Sequence, residues 1–292
     1  MNFADRIIET CHKKSSRLVV GLDPHWHLIP DSVKAEHGEH DPEEVITRFL
    51  TRVVDVCSEF AVAFKPQIAF YERFGISGLR ALRRVLARIH EHDGLVIMDG
   101  KRNDIGSTAT AYAAAFFESD DHMAGFPCEA LTVNGYLGTD GIQPFIKDND
   151  NGIFVLVKTS NPSSGELQDL KLADGRTVAE AMAESVNGWN RETLGSCGYG
   201  RVGAVVGATY PDHIKRLRGL MPQSLLLVPG YGAQGGAEEA VTASFNPDGL
   251  GALINSSRGI LFPKDFADKG YSSIKKAARS ARDHIQSLLP SA

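Results

Sequence analysis

Eight short apolar runs, rich in valine, isoleucine and leucine, constrain what this chain can fold into more than any other feature. They span Leu18 to Asp23, Ala61 to Lys65, Leu95 to Lys101, Ala130 to Gly135, Ile153 to Thr159, Gly203 to Thr209, Ser224 to Gly230 and Gly251 to Ser257. None shows the polar–apolar alternation of a sheet with one wet face, so they read as parallel strands covered on both sides. Between them lie segments of helical period. In the clearest, Leu79, Leu82, Val85, Leu86 and Ile89 share one face while Arg80, Arg83, Arg84 and Arg88 point largely elsewhere. Further helices are predicted near 43–59, 108–118, 177–192, 211–220, 236–244 and 271–288. Eight alternating units favour a single closed (β/α)8 barrel, an α/β fold, over an open doubly wound sheet.

No Pro/Gly/Ser linker divides the chain, so residues 1–292 are expected to form one barrel domain. Two connections are long, at about 24–42 and 160–176, and both follow C-terminal strand ends. Barrels carry their active sites at that face, where long loops serve as lids or substrate contacts. Residues 24–42 read more readily as surface decoration. Pro162, Ser163, Ser164 and Gly165 suit a mobile loop better than a packed one.

Composition narrows the partners. A formal net charge of −5 gives no general attraction to nucleic acid or to anionic membrane, so an anionic ligand requires a local basic site. Cys11, Cys57, Cys128 and Cys197 are widely spaced without a C-x-x-C pair, and are read as reduced thiols. Asp5, Arg6, Glu9 and Lys13 interrupt any apolar stretch at the start, and no long apolar span occurs, so a cytoplasmic location is the expectation.

Charge gathers at the predicted strand ends. Asp99 and Lys101 stand two residues apart at the end of one strand, a spacing that puts both side chains on the same face. Lys65 ends the preceding strand, Asp23 ends the first, and Asp104 lies just beyond Lys101. Singly, each has an ordinary explanation: a strand-end Asp caps a helix and a lone Lys sits solvated at a rim. Together they form a cluster that is costly to bury unless paired, and such clusters are more often functional than structural.

A second cluster suits a phosphate. The segment Pro229-Gly230-Tyr231-Gly232-Ala233-Gln234-Gly235-Gly236 follows the seventh strand, and its glycines let backbone N–H groups approach an anion closely. The eighth strand ends at Asn255-Ser256-Ser257-Arg258-Gly259, which brings a guanidinium beside that loop. An ordinary turn and a surface ion pair are the plain alternatives. No dinucleotide fingerprint or Walker A lysine is present, so no such cofactor is expected. Asp23, Asp99 and Asp104 offer oxygen ligands for Mg²⁺, but two interleaved ammonium groups neutralise them and repel a divalent cation. His25 and His27 lack an obvious third ligand and read as loop residues, so no metal is expected.

The run Val96-Ile97-Met98-Asp99-Gly100-Lys101-Arg102-Asn103-Asp104-Ile105-Gly106-Ser107-Thr108-Ala109 resembles the D-x-K-x-x-D-I-x-x-T signature of the orotidine 5'-phosphate decarboxylases. Gly21-Leu22-Asp23, Phe64-Lys65-Pro66, Thr159-Ser160-Asn161-Pro162, the Gly230 to Gly236 loop and Ser257-Arg258 follow in the family's order, so the resemblance covers nearly the whole chain. The long segments at 24–42 and after Ser160 look like the larger bacterial-type subgroup.

The resemblance implies a cofactor-free carboxy-lyase of pyrimidine biosynthesis that converts orotidine 5'-monophosphate to uridine 5'-monophosphate. It implies that Lys65, Asp99, Lys101 and Asp104 form the charged array at the reacting carbon, with Lys101 as proton donor. It further implies a homodimer in which Asp104 and Thr108 act across the interface. Asp23 and Lys65 are implied to bind ribose hydroxyls, Ser160 the pyrimidine edge, and Gln234 and Arg258 the phosphate, with Ser257 a further substrate-binding residue. Two other readings compete: a Mg²⁺-dependent barrel decarboxylase of the 3-keto-gulonate 6-phosphate type, and a nucleotide-binding barrel without catalysis. Lys65, Ile105 and Thr108 favour the orotidylate reading.

Overall fold

The computed structural model describes residues 1–37, 41–118, 125–147, 150–208, 211–230 and 238–290. Eight parallel strands close into a barrel in sequence order, the last pairing back onto the first. They are β1 (Leu18–Gly21), β2 (Ala63–Lys65), β3 (Leu95–Arg102), β4 (Ala130–Val133), β5 (Gly152–Lys158), β6 (Gly200–Val206), β7 (Ser224–Val228) and β8 (Ala252–Ser256). The apolar runs became strands because both faces are covered. One set of side chains fills the ring, including Val19, Ile97, Phe154, Leu225 and Leu253, and the other meets the surrounding helices. Among the described residues no helix is long and apolar enough to cross a membrane. Cys11, Cys57 and Cys128 are buried free thiols, and Cys197 is a half-buried one.

Helices connect the strands as the periodicity predicts. The helix Gly75–Glu91 buries Ala81, Leu82, Val85, Leu86 and Ile89 and turns its arginines to solvent. Two helices of eight residues or more were not anticipated. Phe3–Lys14 carries Phe3, Ile7, Ile8 and Cys11 on one buried stripe and packs into the interior cluster of the barrel. Its Phe3 ring meets Phe154 edge-on at 5.9 Å and lies where a side chain at Gly152 would have to go. The other, Thr139–Ile146, contains Pro144, which weakens its helical signature in the sequence.

Both long connections carry local structure. Residues 24–42 include a short 3-10 turn (Trp26–Leu28) and the helix Asp31–His37, and Ile29 and Val33 are buried. Residues 160–176 contain a 3-10 turn (Pro162–Ser164) and the short helix Gly165–Gln168. Ser164 is buried and its hydroxyl accepts from the Lys158 ammonium at 3.2 Å, while its neighbours Pro162 and Ser163 are exposed.

The ladder is irregular in two places near the C-terminal rim. Between β3 and β4 the register shifts from Met98 to Arg102. Between β5 and β6 it shifts from Leu156 to Lys158. Such bulges re-aim side chains that simple alternation would send elsewhere.

Candidate active site

At the C-terminal rim of the barrel, Asp99 stands between two lysines. The Lys65 ammonium donates to Asp99 Oδ2 at 3.0 Å, and the Lys101 ammonium donates to Asp99 Oδ1 at 2.6 Å. Lys65 is 4% exposed, whereas the Lys101 side chain is 45% exposed, so one ammonium is locked and the other faces the opening. Burial by itself would raise the Asp99 carboxyl, but the two ammonium groups hold it well below the usual carboxylate range. Burial likewise works to lower Lys65, yet Asp99 and Asp23 together carry it above its ordinary value.

Simple strand alternation does not explain how Lys101 meets Asp99. Lys101 adopts a left-handed backbone with φ 46°, rare for a residue with a side chain, and it sits inside the β3 bulge. The strand end beyond it is held by Arg102. That guanidinium donates to the Gly100 carbonyl at 3.1 Å and to Glu72 at 2.9 Å, and lies over the Tyr112 and Phe116 rings.

These groups border a cavity of about 270 Å³. Lys65, Asp99, Lys101 and Ser160 line it with residues to which the sequence assigned no role, among them Thr132, Thr159, Asn161 and Leu156. The floor is apolar, supplied by Leu156, Val205 and Leu227. Ser160 is seated by an absence: a side chain at Gly207 would meet the Ser160 backbone nitrogen at 2.9 Å. Thr159 is fixed by Gln168, whose amide accepts from the Thr159 N–H and donates to its hydroxyl, both at 2.9 Å.

Asp23 adjoins the array through its charge on Lys65 but does not line the cavity. Its Oδ1 is buried without a hydrogen-bond partner among the described residues, an acceptor left for a hydroxyl or water. Ser257 packs against β1, with its Oγ 1.8 Å from where a Gly21 side chain would begin, so only glycine fits there. Arg258 is exposed at the start of the helix Arg258–Leu261 and acts electrostatically on His25. The His25 ring packs on Phe70 at 4.3 Å, and burial lowers its pKa. Gln234 lies outside the described residues; Gly230, which opens its loop, has a left-handed φ of 92°.

Asp104 and Thr108 are not among the described residues that line this cavity. The Asp104 carboxylate accepts from the Ile105 N–H at 2.8 Å, and Thr108 is exposed on the helix Gly106–Phe117. Ile105, Tyr136 and Leu137 are exposed nearby in sequence and across the β4 connection. Among the described residues no group of three or more His, Cys, Asp or Glu is placed to hold a metal ion, and both Asp99 oxygens are already engaged by ammonium groups.

Paired charges at the C-terminal rim of a closed barrel place the molecule among the (β/α)8-barrel enzymes that work on small molecules. Comparison with known proteins carries this further. The chain belongs to the orotidine 5'-phosphate decarboxylase / HUMPS family, whose profile matches residues 16–269. It is 44% identical to an orotidine 5'-phosphate decarboxylase of Rhodopirellula baltica over 90% of this chain and 89% of that one. It is 37% identical to one from Caldicellulosiruptor bescii over 100% and 99%. The solved OMP decarboxylase of Leishmania donovani superposes with a TM-score of 0.78 at 34% identity, covering 99% of this chain and 98% of that one.

Proposed function

We propose that this chain decarboxylates orotidine 5'-monophosphate to uridine 5'-monophosphate, the carboxy-lyase step of pyrimidine biosynthesis for which its relatives are named. The observation that carries the reading is Asp99 held between Lys65 and Lys101 at the rim of an apolar-floored cavity. When the bond from C6 to the carboxylate breaks, CO₂ leaves and the electron pair stays on C6 in the ring plane, where the ring cannot delocalise it. A fixed ammonium stabilises that charge electrostatically, and Lys101 then gives C6 a proton, recovering one from solvent. Asp99, kept ionised by its neighbours, repels the departing carboxylate and holds Lys101 in place.

The remaining roles follow from position. Lys65 and Asp23, with its unpartnered oxygen, suit ribose hydroxyls. Ser160 suits the pyrimidine edge. Ser257, Arg258 and the Gln234 loop suit the phosphate. Asp104 and Thr108 do not line their own cavity, which supports a homodimer in which each copy completes the other's site. The reaction needs no cofactor or metal, and the enzyme works in the cytoplasm.

The test is loss of ultraviolet absorbance of orotidine 5'-monophosphate with metal-stripped protein. Turnover that survives chelation supports the reading; turnover restored only by Mg²⁺ moves the chain to the metal-dependent decarboxylases, and none at all leaves a binding protein.

A further inference from the structure

We propose that Thr132 is a positioning residue for the reacting ammonium, tying the Lys101 backbone and side chain to the same carboxylate. The proposal rests on the decarboxylase reading of this cavity and adds a residue to it.

Thr132 is 1% exposed on β4, directly across the β3 bulge. The bulge takes the Lys101 N–H out of the strand ladder, and that N–H donates to Thr132 Oγ1 at 3.0 Å. The hydroxyl has one proton of its own, which it donates to Asp99 Oδ1 at 2.9 Å. The same oxygen receives the Lys101 ammonium. The three residues thus close a ring of hydrogen bonds that begins at the Lys101 main chain and returns to its side chain.

This ring answers two problems of the site. Lys101 holds a left-handed backbone that side chains disfavour, and such a conformation persists only where the surroundings fix it. Its ammonium sits on a long flexible stem that is nearly half exposed, so it requires a fixed partner to stay aimed at the cavity. A hydroxyl meets both needs because it accepts from the backbone and donates to the carboxylate at once. Valine matches threonine in shape and does neither. Serine keeps the hydroxyl and loses only a methyl.

Thr132→Val and Thr132→Ser separate positioning from packing. Because orientation acts mainly in the transition state, Thr132→Val is expected to lower kcat by at least about tenfold while KM stays within about threefold. Thr132→Ser is expected to keep kcat within about threefold of wild type, despite the small void it leaves. Exchange of the Lys101 amide hydrogen gives a readout independent of turnover: it accelerates in Thr132→Val and stays slow in Thr132→Ser. Full turnover in Thr132→Val, loss of turnover in Thr132→Ser, or an amide equally protected in both overturns the proposal. If the wild-type protein itself fails to consume orotidine 5'-monophosphate, the functional reading fails, and the exchange comparison still decides whether Thr132 makes the tie.

Discussion

Lys158, at the end of β5, places its ammonium 2.8 Å from both carboxylate oxygens of Asp169, which closes the short helix Gly165–Gln168. By strand alternation Lys158 would share the cavity face with Leu156. The register shift between them sends it instead to the outer side, among Ala179, Glu180 and Leu217. The long 160–176 connection is therefore fastened to the barrel from behind.

The two partners are unequal, Lys158 being 4% and Asp169 42% exposed in their side chains. Asp169→Ala leaves a buried ammonium with Ser164 as its remaining hydrogen-bond partner among the described residues and is expected to cost about 1–3 kcal/mol. Lys158→Met leaves a carboxylate that water reaches, and is expected to cost under about 1 kcal/mol. Urea unfolding of the two variants checks the order, and equal losses contradict it.

The Lys65–Asp99 pair sets a pH dependence. The Asp99 carboxyl is lowered from its ordinary 3.8, so its contribution to stability is complete above 3.8 and fades as pH falls through the folded value. Lys65 is raised from 10.5, so its contribution is complete below 10.5 and fades as pH rises through the folded value. Asp99→Asn should thus be less stable than wild type by a constant margin across neutral pH, the margin narrowing below 3.8. The same variant should lose at least about a hundredfold in kcat. Denaturation curves over pH and steady-state kinetics test the two parts separately.

Arg258 is an exposed guanidinium without a carboxylate partner among the described ion pairs. Arg258→Ala should lower kcat/KM for the phosphorylated substrate by about tenfold or more and leave activity on orotidine, which lacks the phosphate, unchanged. Equal effects on both substrates place Arg258 outside the phosphate site.

If Asp104 serves the neighbouring copy, two inactive variants should rescue one another. Lys101→Ala mixed with Asp104→Ala yields hybrid dimers in which one site has both residues intact, giving about a quarter of wild-type activity after random exchange. No recovery after exchange, verified by native mass spectrometry, removes Asp104 from the shared site.

The strands were legible because eight apolar runs needed cover on both faces, and Asp99 and Lys101 were legible because opposite charges recur at their ends. The helix Phe3–Lys14 carries a readable stripe at Phe3, Ile7, Ile8 and Cys11, and a search for periodicity from the first residue would have found it. Thr132 and Lys158 were hidden for a different reason. Which way each points depends on a bulge between neighbouring strands, and a bulge is decided by pairing across the barrel, which spacing along the chain does not record.

Gly21 and Ser257 meet where the first and last strands join. A chain still emerging from the ribosome already has Lys65, Asp99 and Lys101 in its first half, yet it has no seam and so no wall on that side. Competence to capture a nucleotide therefore arrives late in synthesis, with the final strand, and a truncated product ending before it is left with the charges but no completed ring to hold them.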